Sequence, residues 1–434
     1  MLLLKQDKKK WQNWAKNETC FSHYVKAKSV EDIQKAVNNA RELSLKIRPV
    51  GSSHSFSKLI PNDGIILDTS ALSGVIEVDR SKKLAHVYSG TILGELNKEL
   101  FLHGLALPNL GDVDVQSIAG AIATGTHGTG AELGIISNQV VEVTFVNGLG
   151  EVKTVTESSD ENLLRALKVN LGAFGVVISL KLQLVDAFKL KLKTSKMEID
   201  DIIKDFDKLS NKYRHFEFFW FPYTKYAQVK KMEITQAEII NNKALDFIND
   251  FVLENMVYGF LIKLCVWTRF FTKFFSEVVT SFIGENEKIN WSHLIFATPR
   301  INRFREMEIA LDRSLIKPAI KIIEKIIKKH QLMAIIPVEV RTVKKDDLLI
   351  SPAYGRESVY IAIHAPLGTL YKECFNEIHQ ELEALGGRPH WGKVNNLDQR
   401  RLLEVYPKAD EFIKLRQMED PGRIFLNSYL ENIF

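Results

Sequence analysis

The sequence predicts an α+β protein with two domains, and three observations support this fold class. The chain has 434 residues, which is more than one hydrophobic core usually organises. Its first part interleaves amphipathic stretches at helical spacing with short apolar runs, as expected for alternating helices and strands. Near Phe188 lysine and phenylalanine replace glycine and alanine, which indicates a change of domain. We therefore expect a first domain over 1–187 and a second domain from residue 188 onwards.

Local signals predict the elements of the first domain. Ser29-Val-Glu-Asp32 is a capping box, in which the hydroxyl of Ser29 can accept a hydrogen bond from a backbone N–H of the first helical turn. The helix that it opens has an apolar face formed by Ile33, Ala36, Val37, Ala40 and Leu43. Two more helices are expected, at 91–103, where Gly104 stops the helix, and at 161–169. Strands are expected at 45–50, 64–68, 83–88, 139–146, 151–155 and 176–185.

The second domain is predicted with fewer signals. Strands are expected at 215–222, 335–343 and 359–364, a helix at 372–385, and mostly helical structure over 236–333. The stretch 236–300 is basic and aromatic. It contains an apolar stripe at helical spacing, made of Phe260, Leu264, Trp267, Phe271 and Phe274. This stripe fits either a helix packed on its neighbours or a helix over 256–283 that rests on an anionic membrane.

Composition excludes several classes of protein. The net charge is +5, from 58 basic and 53 acidic residues, which is too small a bias for a nucleic-acid-binding protein but suits an anionic cofactor. The three cysteines form no CxxC motif and predict neither a disulfide framework nor a metal site. Charged residues interrupt both the N-terminal leucines and the apolar region 251–283, so we expect neither a signal peptide nor a transmembrane helix. The expected location is cytoplasmic.

The stretch RPVGSSHSFS, residues 48 to 57, is the first unusual motif. A predicted strand ends in Gly51, Ser52 and Ser53, whose small side chains let the backbone approach a ligand. Consecutive N–H groups in such a turn can form a nest for an anion. His54 follows, next to Ser55, and on local grounds it could simply be a turn histidine that bonds to nearby backbone.

The second unusual motif is SIAGAIATGTHGTG, residues 117 to 130. Four glycines and four hydroxyl residues in fourteen positions bring many unobstructed N–H donors together, which suits a pyrophosphate. The motif matches neither GxGxxG nor the P-loop, so it predicts neither a Rossmann domain nor a nucleotide hydrolase. A tight loop without a ligand is the alternative interpretation.

Together with Leu171-Gly-Ala-Phe-Gly175-Val-Val, these two motifs resemble the FAD-binding domain of vanillyl-alcohol-oxidase-type flavoproteins, and more narrowly that of the sugar-1,4-lactone oxidases. The resemblance implies FAD as cofactor, with the first loop around the pyrophosphate and His54 as the covalent attachment point of the flavin. A neutral imidazole is a better nucleophile for this step than the neighbouring hydroxyls. For His127 a loop-packing role is an equal alternative. The cofactor-binding residues implied are Gly51, Ser52, Ser53, His54, Ser55, Ser117, Gly120, Thr124, Gly125, His127, Gly128, Gly175, Val177 and Asn427.

The second half of the chain supplies the predicted catalytic residues. In Pro337-Val-Glu-Val-Arg341, Glu339 and Arg341 project from one face of a strand that is otherwise apolar, so a surface ion pair is the less favoured interpretation. The segment resembles the family's Glu-x-Arg strand and is followed by a strand that ends in His364. Gly387-Arg-Pro-His-Trp-Gly-Lys393 resembles the family's HWGK signature. The catalytic residues implied are Glu339, Arg341, Lys393 and His364, and Ser117, Glu339, Arg341 and Lys393 are expected to contact the substrate.

Asp420-Pro-Gly-Arg-Ile-Phe-Leu-Asn427 resembles the family's closing segment. The resemblance therefore implies an FAD-binding domain over 1–187, an α+β cap domain over 188–418 that binds the substrate, and a C-terminal segment over 419–434 that returns to the first domain.

The resemblance implies oxidation of a CH–OH group of an aldonolactone, such as gulono- or arabinono-1,4-lactone, by hydride transfer to flavin N5. Dioxygen is the expected acceptor and yields H2O2. Glu339 would hold the reacting hydroxyl, while Arg341 and Lys393 would stabilise the negative charge that develops. Arg341 is also expected to lower the pKa of Glu339 and keep it ionised. No metal is expected.

Alternatives remain open at this point. They are an alditol oxidase, a dehydrogenase that passes electrons to a cytochrome or quinone, a relative acting on polyprenyl-phosphoryl ribose, and a flavin-binding module without activity. Pro366 stands where alditol oxidases carry a hydroxyl residue, which favours a lactone over a linear alditol. The relatives acting on polyprenyl-phosphoryl ribose carry arginine where this chain has His54.

Overall fold

A small sheet lies beneath the first glycine-serine loop. The computed structural model describes residues 7–240, 272–297, 302–332 and 336–434. In it, β1 (Lys9–Gln12), β2 (Thr19–Lys26), β3 (Ile47–Val50) and β4 (Ile65–Asp68) pair in the order β1-β2-β4-β3. β2 and β3 both run parallel to β4, and helix α1 (Val30–Glu42) connects them. The loop that begins at Gly51 therefore leaves the carboxyl end of a buried strand.

Helix α1 shows how closely the capping signal predicts its start. The Ser29 side chain accepts a hydrogen bond from the backbone N–H of Asp32, as the capping box requires. Four residues of the predicted apolar face are buried, namely Ile33, Ala36, Val37 and Ala40. The prediction that Leu43 belongs to this apolar face is wrong. The helix ends at Glu42, so Leu43 is the C-cap residue and its side chain is 44% exposed.

The rest of the first domain is built on an antiparallel sheet of five strands in the order β5-β6-β10-β8-β9. These strands are β5 (Val75–Asp79), β6 (Leu84–Tyr88), β8 (Val140–Asn147), β9 (Val152–Thr156) and β10 (Gly175–Gln183). The short strand β7 (Leu105–Ala106) pairs with β11 (Val185–Asp186). The helices of this region are α2 (Leu93–Leu102), α3 (Ile118–Ala123) and α4 (Glu157–Leu167). All the predicted strands of this domain are present, whereas β1, β2 and β5 were not predicted.

The second domain is an antiparallel sheet of eight strands in the order β15-β12-β14-β13-β17-β18-β16-β19. The strands are β12 (Lys189–Glu198), β13 (His215–Trp220), β14 (Tyr226–Thr235), β15 (Asn286–Trp291), β16 (Phe304–Asp312), β17 (Val338–Val343), β18 (Ser358–Pro366) and β19 (Arg388–Pro389). Its helices are α5 (Ile199–Lys204), α6 (Phe206–Lys212), α7 (Thr272–Ser281), α8 (Ser292–Phe296), α9 (Ile316–His330) and α10 (Lys372–Ala384).

The two faces of this large sheet differ sharply. On one face Phe218, Ile309 and Val340 pack with apolar residues of α5, α6, α9 and α10. The opposite face carries most of the buried charged residues of the sheet and meets the first domain, since Ala310 and Tyr360 belong to the hydrophobic cluster of that domain. Strand alternation thus places polar side chains at the boundary between the domains.

The prediction of mostly helical structure over 236–333 is wrong for two segments. Residues 286–291 and 304–312 form strands β15 and β16, whose charged residues hide an alternating pattern. Residues 241–271, 298–301 and 333–335 lie outside the described part of the chain. They include most of the predicted apolar stripe, from Phe260 to Phe271, and Ile335 of the predicted strand.

The C-terminal helices return to the first domain. They are α11 (Gln399–Val405), α12 (Ala409–Glu419) and α13 (Ser428–Glu431). The ring of Phe412 packs at 5.0 Å from that of Phe174, and the backbone N–H of Ile47 donates to the carbonyl of Ile424. Packing on the first domain is therefore already made by α12, ahead of the closing motif. No helix in the described ranges is long and apolar enough to cross a bilayer.

Candidate active site

The N-terminal segment holds the first glycine-serine loop in its conformation. Ser53 has a positive φ of 58°, a conformation that costs energy for a residue with a Cβ. Two tryptophans stabilise this turn. The backbone N–H of Trp14 donates to the Ser53 carbonyl at 2.8 Å, and Nε1 of Trp11 donates to Ser53 Oγ at 3.1 Å. None of the backbone N–H groups of residues 51–55 donates to another described residue, so the turn presents a row of free donors.

Residues 51–55 line a cavity between the two predicted loops. A Cβ on Gly51 would lie 2.0 Å from Ser117 Oγ, so only glycine lets the loops approach this closely. Ser52 Oγ is buried without a hydrogen-bond partner. The predicted cofactor residues that line the cavity are Gly51, Ser52, Ser53, His54, Ser55, Ser117, Gly120, Thr124, Gly175 and Val177. Unpaired donors in a glycine-walled cleft fit the diphosphate and flavin of FAD.

Four predicted cofactor residues do not line this cavity, namely Gly125, His127, Gly128 and Asn427. Gly128 packs against backbone, where a Cβ would come within 2.3 Å of the Leu110 carbonyl oxygen. Asn427 supports the cavity wall indirectly. Its side-chain amide donates to the carbonyls of Lys58 and Pro61, both at 2.9 Å, and holds a segment whose middle residues line the cavity.

His127 contacts the second domain. Its Nε2 lies 3.2 Å from Oε1 of Glu308, and its Nδ1 lies 2.8 Å from the Gly128 carbonyl oxygen. Both residues are buried. Burial opposes ionisation of Glu308, but His127 and then Lys393 outweigh it and hold the pKa of this carboxyl well below its usual range. The pair is an electrostatic contact between the two domains.

His390 completes a buried cluster with His127 and Glu308, whose potential ligand atoms lie within 4.8 Å of one another. Its Nδ1 accepts a hydrogen bond from the backbone N–H of Gly392 at 3.0 Å, and the ring also bonds to the backbone of Gly125. Burial lowers the pKa of His390 to about 3, so the ring is neutral. Because both ring nitrogens are already used, the cluster favours a packed hydrogen-bond network over a metal site.

His54 lies in the cavity wall, next to both domains. Its ring stacks on Trp14 with centroids 5.3 Å apart and planes 23° apart. Burial, followed by the positive charge of Lys393, lowers the pKa of His54 to about 4. The imidazole is therefore neutral at physiological pH, as a nucleophilic attachment residue must be.

On the polar face of the large sheet, three carboxylates surround Arg341, and strand pairing brings one of them, Glu217, into place. Glu217 on β13 stands directly opposite Arg341 on β17, and the guanidinium Nε donates to its carboxylate at 2.8 Å. Arg341 also forms a short ion pair with Glu339 and lies 3.5 Å from Asp112 of the first domain. The predicted pair is thus part of a larger network.

This network changes the expected protonation of Glu339. Burial raises its pKa to about 8, with Asp112 and Glu217 adding to the increase, and the attraction of Arg341 is too weak to reverse it. The expectation that Arg341 keeps this carboxyl ionised is therefore wrong. One guanidinium shared among three carboxylates cannot neutralise all of them.

Lys393 and His364 are joined by Glu306, which the sequence analysis missed. Lys393 Nζ lies 2.5 Å from one oxygen of Glu306, and His364 Nε2 lies 3.6 Å from the other. Glu306 stands opposite His364 in the pairing of β16 with β18. Burial opposes the charge on Lys393, but Glu306 and Glu308 outweigh it and raise its pKa. The alternation Phe-Arg-Glu-Met-Glu-Ile-Ala-Leu in β16 was the available signal.

None of the four catalytic candidates lines the cavity itself, but Lys393 approaches its first loop at the domain boundary. The backbone N–H of Phe56 donates to the Gly392 carbonyl at 2.7 Å, and Lys393 Nζ lies 5.3 Å from the centroid of the Phe56 ring.

Residues 180–433 match the family model of D-arabinono-1,4-lactone oxidase, and residues 21–156 match that of an FAD-binding domain. The chain belongs to the D-arabinono-1,4-lactone oxidase family.

Relatives of this family match over nearly the whole chain. An L-gulono-1,4-lactone dehydrogenase of Mycobacterium tuberculosis is 33% identical over 98% of both chains, and the L-gulonolactone oxidase of Mus musculus is 32% identical over 98% of both. A solved cholesterol oxidase from B. sterolicum superimposes with a TM-score of 0.81 at 19% identity, covering 98% of this chain and 96% of that one. The last likeness shows the fold alone.

Membership of the D-arabinono-1,4-lactone oxidase family confirms the predicted resemblance and the α+β flavoprotein fold. The chain is an FAD-dependent oxidoreductase. The roles of individual residues, the attachment through His54 and the division into domains at 187 and 418 stay predictions.

Proposed function

We propose that this protein oxidises a CH–OH group of a sugar-1,4-lactone, an aldonolactone such as gulono- or arabinono-1,4-lactone. The observation that carries the proposal is the buried Glu339–Arg341 pair on the polar face of the large sheet, at the boundary with the first domain. The names of the full-length relatives support the substrate class, because they are gulonolactone dehydrogenases and oxidases.

Glu339 and the residues around it have separate roles in the proposed reaction. Bound FAD supplies the acceptor for the hydride that leaves the substrate carbon. The hydroxyl proton passes to the carboxylate of Glu339, whose raised pKa makes it a stronger base than an ordinary glutamate. Arg341 and Lys393 stabilise the negative charge that grows on the substrate oxygen before the C=O bond forms. His364 and Ser117 position the substrate.

The cavity residues hold the cofactor in this proposal. The free N–H groups of residues 51–55 bind the diphosphate, and the hydroxyls of Ser52 and Ser117 add polar contacts. The neutral imidazole of His54 carries the flavin covalently, because its position in the cavity wall and its lowered pKa suit a nucleophile.

Dioxygen is the proposed electron acceptor, and H2O2 the product. A second candidate is a lactone dehydrogenase that passes electrons to a cytochrome or quinone, and it is favoured by the name of the mycobacterial relative. The test is a panel of aldonolactones and alditols with the purified holoenzyme, in which H2O2 release and dye reduction are measured in parallel. Dye reduction without H2O2 would select the dehydrogenase.

The same panel tests the choice of lactone over alditol. Pro366 lies on the same face of β18 as His364 and offers no hydroxyl to a linear polyol. We expect a higher kcat/KM for gulono- or arabinono-1,4-lactone than for xylitol or sorbitol. A higher kcat/KM for either alditol than for every lactone tested would identify an alditol oxidase instead.

A peripheral membrane contact through 256–283 is a further part of the proposal. The part of this segment that is described includes helix α7, whose Phe274 is 57% exposed, and Phe282 just after it, which is 83% exposed. Co-sedimentation with anionic vesicles at low and high salt tests the contact. Equal recovery in the supernatant with anionic and with neutral vesicles at low salt would refute it.

A further inference from the structure

The proposed substrate site contains a large number of buried carboxylates. Glu217, Glu306, Glu308 and Glu339 are all buried on the polar face of the large sheet, and Asp112 joins them from the first domain. So many acidic groups in a protein interior are costly unless each has a partner.

Every cation near these carboxylates already has a partner. Arg341 is shared among three carboxylates, as described above, and Lys393 is paired with Glu306 at 2.5 Å. Lys230 approaches Glu217 from β14 at 3.8 Å, and His127 faces Glu308 at 3.2 Å. In the described part of the chain, the carboxylates of this site therefore outnumber the arginine and lysine side chains that face them, and a ligand with a full negative charge would compete for cations that are already paired.

The raised pKa of Glu339 is one consequence of the negative electrostatic potential at this site. Neighbouring acidic groups, including Asp112, Glu217 and Glu306, add to the effect of burial in disfavouring its charged form. A substrate carboxylate placed among the same groups would meet the same repulsion and would lose its hydration as well.

An aldono-1,4-lactone is neutral, whereas the aldonate formed by opening its ring is an anion with nearly the same hydroxyl groups. We propose that this site admits the ring-closed lactone and excludes the aldonate anion by repulsion from Glu217 and Glu306. The inference rests on the proposed function, which supplies the lactone as substrate. It assigns a role in specificity to two residues outside the predicted catalytic set.

The wild-type holoenzyme provides the first test and requires no variant. At low ionic strength and pH 7, the lactone dependence of anaerobic flavin reduction in stopped flow gives the Kd of gulono-1,4-lactone, and titration calorimetry gives the Kd of sodium gulonate. We expect gulonate to bind at least about 100-fold more weakly than the lactone, since like-charge contacts in a buried site are strongly unfavourable. Affinities within about threefold of each other would overturn the inference.

Neutral variants test the residues named. Glu217→Gln keeps the shape of the side chain but removes a negative charge that partly neutralises Arg341. Glu306→Gln removes the negative charge paired with Lys393 in the same way. Each variant should lower the ratio of the gulonate Kd to the lactone Kd by about tenfold or more. Glu142→Gln is the matched control, because it removes the same charge from a pair with Lys181 on the five-stranded sheet. If both site variants kept the wild-type ratio of the two Kd values, Glu217 and Glu306 would have no role in excluding the anion.

The two hypotheses fail in different ways. If no lactone reduces the bound flavin, the proposed function fails, while calorimetry of the neutral and anionic ligands still decides the electrostatic inference. If lactones reduce the flavin and gulonate binds as well as they do, only the inference fails.

Discussion

At the scale of single residues, His54 is placed to react because three features coincide. It stands in the wall of the FAD cavity, its ring is oriented by stacking on Trp14, and burial keeps it neutral. A protonated imidazole has no lone pair to offer, so the lowered pKa is part of its function in this proposal.

Replacing His54 should separate cofactor binding from cofactor attachment. We expect His54→Ala to bind FAD in the native state, because the N–H groups of residues 51–55 remain, and to release it on denaturation. Wild-type flavin should stay on the polypeptide in a denaturing gel and fluoresce. Ser55→Ala in the same loop is the control and should keep the attachment. Freely extractable flavin in the wild type would refute covalent attachment.

The raised pKa of Glu339 predicts a pH dependence of the chemical step. Its base form grows as pH rises, so the rate of anaerobic flavin reduction by the lactone should increase up to about pH 8 and level off above it. Well below that pH the increase should be about tenfold per pH unit. Stopped-flow absorbance measures this rate without the oxygen step. A flat profile between about pH 6 and 9 would remove Glu339 as the base.

At the scale of elements, β17 carries both members of the proposed catalytic pair. Its alternation sends Val338 and Val340 into the apolar core and Glu339 and Arg341 to the opposite, polar face. Glu217 opposite Arg341 then orients the guanidinium through a hydrogen bond of 2.8 Å. The strand thereby fixes the spacing of base and cation without needing a flexible loop.

Variants of β17 should show this coupling. Glu339→Gln and Arg341→Ala should each lower the rate of flavin reduction by about 10² or more, the size of a lost acid–base or electrostatic contribution. Arg341→Lys should not restore full activity, because a point charge cannot replace the planar guanidinium that contacts several carboxylates.

The double variant Glu339→Gln/Arg341→Ala should be less impaired than the product of the two single effects. FAD should stay bound in all of these variants, since the cavity residues lie in the first domain. Single variants with wild-type reduction rates would show that the pair is structural, and the catalytic role would move to Lys393 or His364.

At the scale of the whole molecule, the function depends on how the two domains meet. The second glycine-rich loop belongs to the first domain, yet Thr129 donates to the Phe216 carbonyl at 2.5 Å and accepts from the backbone N–H of Thr342 at 3.2 Å. The His127–Glu308 pair lies in the same boundary. These contacts hold the polar face of the large sheet, with the proposed catalytic residues, against the second glycine-rich loop.

Removing Glu308 should weaken this boundary. Glu308→Ala leaves His127 buried without its partner, and breaking a buried pair in this way costs about 3–5 kcal/mol. Denaturant unfolding of the holoprotein at pH 7 should show a clear fall in stability. Because the folded-state pKa of Glu308 lies below its unfolded value, the difference from wild type should shrink as pH falls below about 4.5.

Glu142→Ala is the control for this prediction. It removes a carboxylate from a half-exposed pair with Lys181, which contributes at most about 1 kcal/mol. A Glu308 variant no less stable than the Glu142 variant would mean that the His127–Glu308 pair does not hold the domains together.

Features that depend on short stretches of chain could be predicted from the sequence. The Ser29 N-cap starts α1 where predicted, the glycine and serine run places His54 in the cavity wall, and alternation puts Glu339 and Arg341 on one face. Such features follow from backbone geometry over a few residues, so they can be recognised without knowing the fold.

The tertiary structure alone decided which distant residues meet. Glu217 reaches Arg341 because β13 pairs with β17, and Glu306 reaches Lys393 because β16 forms a strand where helix was expected. His127, predicted beside the cofactor, turns instead to Glu308. The pKa of Glu339 rises for the same reason, since it depends on burial and on the sum of charges brought together from both domains. No local pattern encodes that sum, because its members are far apart in the chain and become neighbours only on folding.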